Sequence, residues 1–216
     1  MKKAIVDVCD TLYYSNTTFD FLERIASKKL ETQLLALRRV RSLMLLNSVL
    51  FKLFKVDIYR RLCIYKLLSG KKSSEIKSES ELFYENVLCA KKIIETHAII
   101  KKLSEDFQFI LCSASIDPVV EVIADKMGCE QFFSTRLIAK DGIYTGQIFV
   151  DLLGRKGKHL KEADVSYNLV ITDNKSDIDL IETCGKAIII SEEKNINFWN
   201  DFKLKNKTMD IKVVIV

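Results

Sequence analysis

Residues that interrupt regular structure are scarce in this chain. One proline and seven glycines occur among its 216 residues. Because glycine and proline are the strongest breakers, their scarcity favours long helices and argues against an all-β fold. Hydrophobic residues make up 48% of the chain and charged residues 29%, which is typical of a globular protein and not of a disordered one. The length suffices for one core, or for a core with a smaller inserted unit.

The patterns of zinc sites and disulfide frameworks are also missing. The chain has two histidines and six cysteines, and no two cysteines form a C-x-x-C pair. Several cysteines lie in apolar runs, where cysteine acts as a small hydrophobic residue. No signal peptide precedes the first predicted strand, so we expect a reduced, cytoplasmic protein.

Acidic residues are rare in one segment. Between residues 38 and 72, ten lysines and arginines accompany a single acid, Asp57. A surface of this charge attracts phosphates, nucleic acids or acidic lipid headgroups, and the alternative is an ordinary solvated helix surface. We keep a weak membrane-surface contact open for this segment.

The same segment contains ten consecutive uncharged residues, 42–51. This run is shorter than the roughly 20 residues that a membrane-spanning helix needs. Its basic flanks would suit a helix that lies at a membrane interface. We favour the simpler interpretation that residues 42–51 belong to a buried helix.

Apolar periodicity divides the chain into two parts with different rhythms. After a buried strand at 3–7, residues 17–105 have an almost entirely helical pattern, with helices near 32–54, 57–69, 73–89 and 90–105. Further along the chain, strands at 107–112, 131–134, 167–172 and 186–191 alternate with helices at 117–128, 156–164 and 176–183, with a hairpin over 136–149. The tail, 210–216, is either an edge strand or a segment that packs on a partner.

The alternation predicts an α/β fold with a Rossmann-like parallel sheet covered by helices on both faces. The first strand belongs to that sheet. We therefore interpret residues 15–95 as an inserted, all-helical cap domain, and residues 1–14 and 96–216 as the core.

Polar side chains stand at four predicted strand ends or helix starts. These are Asp7, Ser113, Lys156 (with Lys158 as a weaker candidate) and the pair Asp173 and Asp177. Sites form at the carboxyl ends of parallel strands, so these residues are expected to meet. A carboxylate can accept a phosphoryl group, clustered carboxylates bind Mg²⁺, and a serine and a lysine can hold phosphate oxygens.

The order of these residues resembles the four motifs of haloacid dehalogenase (HAD) superfamily hydrolases. The matching segments are 7–12 (DVCDTL), 111–115 (LCSAS), 154–157 (GRKG) and 172–177 (TDNKSD). The resemblance is closest to the phosphoserine-phosphatase-like branch (subfamily IB) with a helical C1-type cap, because residues 135–146 also resemble its T-R-L…D-G-x-Y-T-G hairpin.

The resemblance implies a Mg²⁺-dependent phosphatase that forms an aspartyl-phosphate, acts on a small phosphorylated substrate and has no nucleic acid partner. In it, Asp7 is the nucleophile and Lys156 its catalytic partner. The implied phosphate-binding residues are Thr11, Ser113, Ala114 and Lys156. The implied metal ligands are Asp7, the backbone carbonyl of Cys9, Asp173 and Asp177.

Cys9 departs from the family pattern, because phosphatases of this family carry a second aspartate there. That aspartate is a general acid and base, which is typically worth 10²–10⁴-fold in rate, or about 3–5 kcal/mol. Asp10 lies one residue away from the required position. The protein is therefore expected to hydrolyse phosphate esters slowly, to use a substrate with a better leaving group, or to bind a phosphorylated ligand without turnover. Dehalogenase-like chemistry is a further alternative, although Asp173 and Asp177 argue against it because a dehalogenase needs no Mg²⁺.

Overall fold

Seven β-strands and ten α-helices make up the computed structural model, which describes residues 1–216. The strands are β1 (Lys2–Val6), β2 (Phe107–Ile116), β3 (Gln131–Lys140), β4 (Ile143–Val150), β5 (Leu169–Thr172), β6 (Lys186–Ser191) and β7 (Asp210–Ile215). The helices are α1 (Thr17–Ile25), α2 (Lys29–Ala36), α3 (Arg41–Phe54), α4 (Ile58–Leu68), α5 (Ser73–Asn86), α6 (Ile94–Leu103), α7 (Asp117–Met127), α8 (Lys156–Glu162), α9 (Ile178–Cys184) and α10 (Ile196–Lys205).

All seven strands form one sheet in the order β4-β3-β2-β1-β5-β6-β7. Neighbouring strands are parallel, except that β3 and β4 form an antiparallel hairpin. The hairpin turns at Asp141 and Gly142, and both residues have the positive φ that a tight two-residue turn of this kind requires. The predicted α/β fold with a Rossmann-like sheet is confirmed, and β1 is its central strand.

The alternating side chains of the central strands cover both faces of the sheet. Ala4 and Val6 belong to a cluster of 31 buried hydrophobic residues that also includes side chains from the helices between β1 and β2. Ile5 points to the opposite face and belongs to a second cluster of 12 residues around Trp199. Because both faces are buried, the strands are nearly continuous apolar runs, as is typical of parallel sheets.

The end of the chain forms an edge strand, which was one of the two alternatives expected for the tail. β7 pairs in parallel with β6 from Asp210 to Ile215. Two parallel neighbours need a crossover connection, and α10 supplies it. The sequence patterns above did not predict α10, although its Trp199 is fully buried.

The segment between β1 and β2 is helical, as predicted, but its helices are shorter. The single helix expected over 32–54 is two helices, because a 3-10 turn at Leu37–Arg39 separates α2 from α3. At the start of the segment, the Asn16 side chain accepts a hydrogen bond from the Phe19 backbone amide (3.3 Å) and begins α1. The expected boundary between residues 95 and 96 falls inside α6, and the division into core and cap stays a prediction.

The interpretation of residues 42–51 as a buried helix is wrong. They belong to α3, which has no buried residue. Its residues are exposed or half-buried, and it packs on α4 and on the 3-10 turn at Leu37–Arg39. No helix of the protein combines the length and the apolar composition needed to cross a bilayer.

Candidate active site

The predicted site residues meet at the carboxyl end of the central strands. Asp7 directly follows β1, and its backbone amide donates a hydrogen bond to the carbonyl oxygen of Ile171 in β5 (2.9 Å). Asp173 directly follows β5, the neighbour of β1. Asp7 is buried and Asp173 half-buried. The adjacency of β1 and β5 therefore brings together two carboxylates that are 166 positions apart in the chain.

Lys156, the first residue of α8, lies between two carboxylates. Its Nζ atom is 2.6 Å from Asp7 Oδ2 and 2.8 Å from Asp177 Oδ2. Asp177 Oδ2 also accepts a hydrogen bond from Thr172 Oγ1 at 2.8 Å. Lys158, the weaker candidate from the sequence, lies on the surface and pairs with Glu162 at 3.6 Å. The structure thus favours Lys156 as the lysine of the site.

Burial and charge together shift the pKa values of this cluster. Burial is the largest cause that raises the pKa of Asp7, to about 6, and Lys156 opposes the shift. Burial and then the charge of Asp7 raise the pKa of Asp173 to about 7. For Lys156, burial alone would lower the pKa, but Asp7 and Asp177 outweigh it and hold the pKa above its ordinary value. Lys156 therefore stays cationic. Its single positive charge faces the carboxyl groups of Asp7, Asp173 and Asp177.

Thr11 connects the chain after β1 to Asp173, which follows β5. Its hydroxyl group donates to Asp173 Oδ1 and accepts from the backbone amide of Asp173, both at 2.9 Å. Thr11 is fully buried. The side chain predicted to bind phosphate therefore contacts Asp173 and fixes the position of that carboxylate relative to the loop after β1.

Ser113 and Ala114 lie where the pairing of β2 with β3 is irregular. The register shifts between Cys112 and Ile116, as in a β-bulge, a feature often found next to active sites. The buried hydroxyl of Ser113 accepts a hydrogen bond from the backbone amide of Ser115 (3.2 Å). The carbonyl oxygen of Ala114 accepts one from Thr135 Oγ1 (2.8 Å). These bonds fix the irregular end of β2, which carries two of the predicted phosphate-binding residues.

The thiol of Cys9 points to two hydroxyl groups. Its Sγ atom lies 3.2 Å from Ser115 Oγ and 3.3 Å from Thr17 Oγ1, and these two hydroxyls also bond to each other. Burial, followed by the charge of Asp7, raises the pKa of the thiol above its ordinary value. Cys9 is therefore a weak proton donor, and formation of its thiolate is disfavoured. Since its side chain turns to Thr17 and Ser115, only its backbone carbonyl is available for the metal role that the sequence predicts.

The donor atoms fit a hard divalent cation. Asp7, Asp173 and Asp177 place three carboxylates against a single ammonium group, that of Lys156. No group of three or more His, Cys, Asp or Glu side chains is arranged to hold an ion by itself. Mg²⁺ does not require one, because it is usually bound through one or two carboxylates and keeps several waters. Asp7, Asp173, Asp177 and the carbonyl of Cys9 supply oxygens of this kind, and Lys156 contacts one oxygen of Asp7 and one of Asp177.

Sequence reasoning missed an arginine that joins the helical segment to the site. Arg60 of α4 is buried, and its guanidinium donates to Asp151 Oδ1 (2.9 Å), to Thr135 Oγ1 (3.0 Å) and to the carbonyl oxygen of Ala114. Arg61 also contacts Asp151 (3.1 Å). Burial acts against ionisation of Asp151, but Arg60 outweighs it and lowers the pKa of Asp151. The only signal in the sequence was the basic character of residues 38–72.

Solved structures share this fold at low sequence identity. A protein of unknown function from Bordetella pertussis Tohama I has a TM-score of 0.71 and 18% identity, and the alignment covers 97% of each chain. A phosphoserine phosphohydrolase-like protein from Francisella tularensis has a TM-score of 0.62 and 19% identity over 99% of this chain and 95% of that one. Phosphoserine phosphatase, solved as an analogue of its phospho-aspartyl intermediate, has a TM-score of 0.56 and 16% identity over 98% and 92%.

Comparison with curated proteins finds no match to this sequence. The sequence model of the haloacid dehalogenase-like hydrolases matches residues 4–182. This match includes all four segments that carry the predicted site residues, and it extends over most of the chain. The protein therefore belongs to the haloacid dehalogenase-like hydrolase family.

Proposed function

We propose that the protein is a Mg²⁺-dependent phosphatase that acts on a small phosphorylated metabolite through an aspartyl-phosphate on Asp7. One observation carries this proposal. Lys156 Nζ contacts Asp7 and Asp177 at 2.6 and 2.8 Å in a buried cluster at the carboxyl end of the sheet. A fixed cation beside a strand-end carboxylate is suited to a step in which that carboxylate accepts a phosphoryl group.

In the first step, a carboxylate oxygen of Asp7 forms a bond to phosphorus while the bond from phosphorus to the leaving oxygen breaks. The leaving oxygen then takes a proton from solvent. In the second step, water attacks the phosphorus and releases a proton to solvent, the bond to Asp7 breaks, and inorganic phosphate leaves. Asp7 is restored as a carboxylate, so atoms and charges balance over the cycle.

Residues around Asp7 would stabilise the negative charge that develops on the phosphoryl group. Lys156, whose pKa is raised by Asp7 and Asp177 in spite of its burial, stays protonated and offsets negative charge that develops on the phosphoryl oxygens. The Ser113 hydroxyl and the backbone amide of Ala114 would bind those oxygens, since both lie at the irregular end of β2, where Ser115 and Thr135 hydrogen-bond to them. Bound Mg²⁺, held by Asp7, Asp173 and the Cys9 carbonyl, would polarise a phosphoryl oxygen.

The helices of residues 15–95 would act as a cap that covers the site and selects the substrate. Arg60 supports this role, because its guanidinium in α4 donates a hydrogen bond to the carbonyl oxygen of Ala114, next to Ser113. A movement of α4 would therefore reach the site directly.

Cys9 makes proton transfer to the leaving group the weak step. Its thiol has a raised pKa and hydrogen-bonds to two hydroxyl groups, so slow turnover, or a substrate with a good leaving group, fits the site best. The same observation favours a second candidate function, in which the protein binds a phosphorylated ligand with little or no hydrolysis.

The test is hydrolysis of p-nitrophenyl phosphate with and without Mg²⁺, because this substrate has a good leaving group. We expect Mg²⁺-dependent turnover that Asp7→Asn abolishes. The matched control is Asp10→Asn, which should retain activity, since Asp10 is exposed and asparagine tolerates its positive φ of 51°. Activity in Asp7→Asn would refute the nucleophile. Binding of inorganic phosphate with no turnover of any phosphate ester would favour the second candidate.

A further inference from the structure

Helix α3 exposes an apolar stripe to solvent. Leu45 and Leu53 are each 68% exposed and Phe54 is 64% exposed, and Leu46 and Val49 are exposed as well. Residues 45, 49 and 53 are four positions apart, so their side chains lie on one face of the helix. Single exposed leucines are common on protein surfaces, but a contiguous stripe on one helix marks a contact surface.

The charges around this stripe are all positive at both ends of the helix. Arg39 and Arg41 lie at its beginning, Lys52 lies in its last turn, and Lys55 follows its last residue; all four are exposed. Arg38 is not counted with them, because it contacts Glu23 at 3.7 Å. The α3 surface therefore combines an apolar centre with cationic ends.

The single acid of residues 38–72 does not weaken this charge. Asp57 Oδ1 accepts hydrogen bonds from Asn47 Nδ2 (2.9 Å) and from the backbone amide of Arg60 (2.8 Å). It is thereby held as the N-cap of α4, at the inner side of α3. No carboxylate projects from α3 itself.

We propose that the α3 surface docks on an anionic lipid bilayer. The helix has 14 residues and a length of about 21 Å, and it would lie in the plane of the interface. Leu45, Val49 and Leu53 would insert among the acyl chains, while the flanking cations contact the headgroups. A second copy of this chain is a poorer occupant, because pairing two α3 surfaces would bring like charges together.

Docking would place the bilayer beside the active site. A methyl group added to Gly154 would lie 3.3 Å from the ring of Phe51 in α3, and Arg155 Nη2 donates to the carbonyl oxygen of Lys55 (3.4 Å). Gly154 and Arg155 directly precede Lys156. One short loop thus lies between the α3 surface and Lys156. Docking of the α3 surface on a bilayer does not depend on turnover at the active site.

Flotation with vesicles tests this proposal. The probes are vesicles of equal parts phosphatidylcholine and phosphatidylglycerol, and vesicles of phosphatidylcholine alone, at low and high salt. We expect the protein to float with the anionic vesicles at low salt, and much less in the other conditions. The double variant Leu45→Ser/Leu53→Ser should lower the binding constant at least about tenfold, because two apolar side chains no longer insert.

The charge is tested separately by Arg39→Gln/Arg41→Gln, with an expected loss of about fivefold for each cation removed. The matched controls are on α6: Ile94→Ser, with a side chain that is 68% exposed in the native protein, and Lys101→Gln/Lys102→Gln, with the same charge change. Both controls should bind like the native protein, and all variants should keep its melting temperature.

Three results would overturn the proposal. The first is no flotation with anionic vesicles at low salt. The second is an equal loss of binding in the α6 controls, since this would mean that overall charge or hydrophobicity is responsible. The third is a dimer in light scattering that Leu45→Ser/Leu53→Ser dissociates, which would identify a second copy of the chain as the occupant of the α3 surface.

Discussion

Under the proposed function, replacement of Cys9 by aspartate should raise the rate at which the protein hydrolyses alkyl phosphates. The thiol lies 3.2 Å from Ser115 Oγ and 3.3 Å from Thr17 Oγ1. A carboxyl group in its place would have the same two hydroxyl partners. It would also be an acid whose ordinary pKa lies near 4, compared with about 8.5 for a thiol.

The size of the effect follows from the environment of Cys9. Burial and the nearby Asp7 raise the pKa of the thiol, and they would raise the pKa of a carboxyl group in the same position. Aspartate there would hold its proton to a higher pH than a free aspartate, and the protonated form is the one that a general acid needs. Such catalysis is worth about 10²–10⁴-fold, so kcat/KM for an alkyl phosphate should rise by about that factor, or about 3–5 kcal/mol.

The assay compares two substrates and two variants. An alkyl phosphate needs a proton on its leaving group, whereas p-nitrophenyl phosphate does not, so Cys9→Asp should raise kcat/KM mainly for the alkyl phosphate. The asparagine of Cys9→Asn has nearly the same size as aspartate and can also form hydrogen bonds, but it has no acidic proton. Cys9→Asn should therefore give no gain in kcat/KM. If Cys9→Asp is folded and leaves the alkyl phosphate rate unchanged, or if Cys9→Asn raises it equally, the missing acid is not the defect.

Two further predictions concern stability. Gly146 has a φ of +76°, and a methyl group there would lie 2.8 Å from the Cα atom of Tyr65 in α4, so Gly146→Ala should lower the free energy of unfolding in urea by at least about 1 kcal/mol more than Gly128→Ala. Gly128 has a similar φ of +67° and no neighbour within 4 Å, and equal losses for both variants would contradict the close packing of α4 on β4. Burial raises the pKa of Asp117 to about 6, which means that the ionised form is disfavoured in the folded protein. This cost is absent below pH about 4, grows as pH rises to about 6, and reaches at most about 3 kcal/mol above it. Asp117→Asn should therefore unfold at a higher urea concentration than the native protein at pH 8 but at the same concentration at pH 4, and a difference that does not depend on pH would refute the assignment.

The α/β fold was predictable because its signal is local. Buried parallel strands such as β1 and β5 are short apolar runs, and they alternate with helical periodicity after residue 107. The polar residues directly after such strands, Asp7 and Asp173, must lie at one edge of the sheet whichever helices cover its faces. Lys156 was predictable from a local signal as well, because it begins the helix α8.

The incorrect predictions concern features that depend on contacts between distant segments. The helix expected over 32–54 breaks at Leu37–Arg39 without a glycine or proline to signal it. Residues 42–51 are as apolar as a buried helix, but nothing packs on the outer side of α3. An apolar pattern records that a face can be buried, and it does not record whether another segment is there to bury it.

The sequence by itself determined the alternation of strands and helices from β2 to β6, the family, and which residue types stand at the strand ends. Only the tertiary structure decided which of them touch. It placed Ser115 beside Cys9 across 106 positions, brought Arg60 to Ala114, and set Lys156 between Asp7 and Asp177. The physical reason is that periodicity is a property of neighbours in the chain, whereas contacts between distant side chains depend on how complete elements pack.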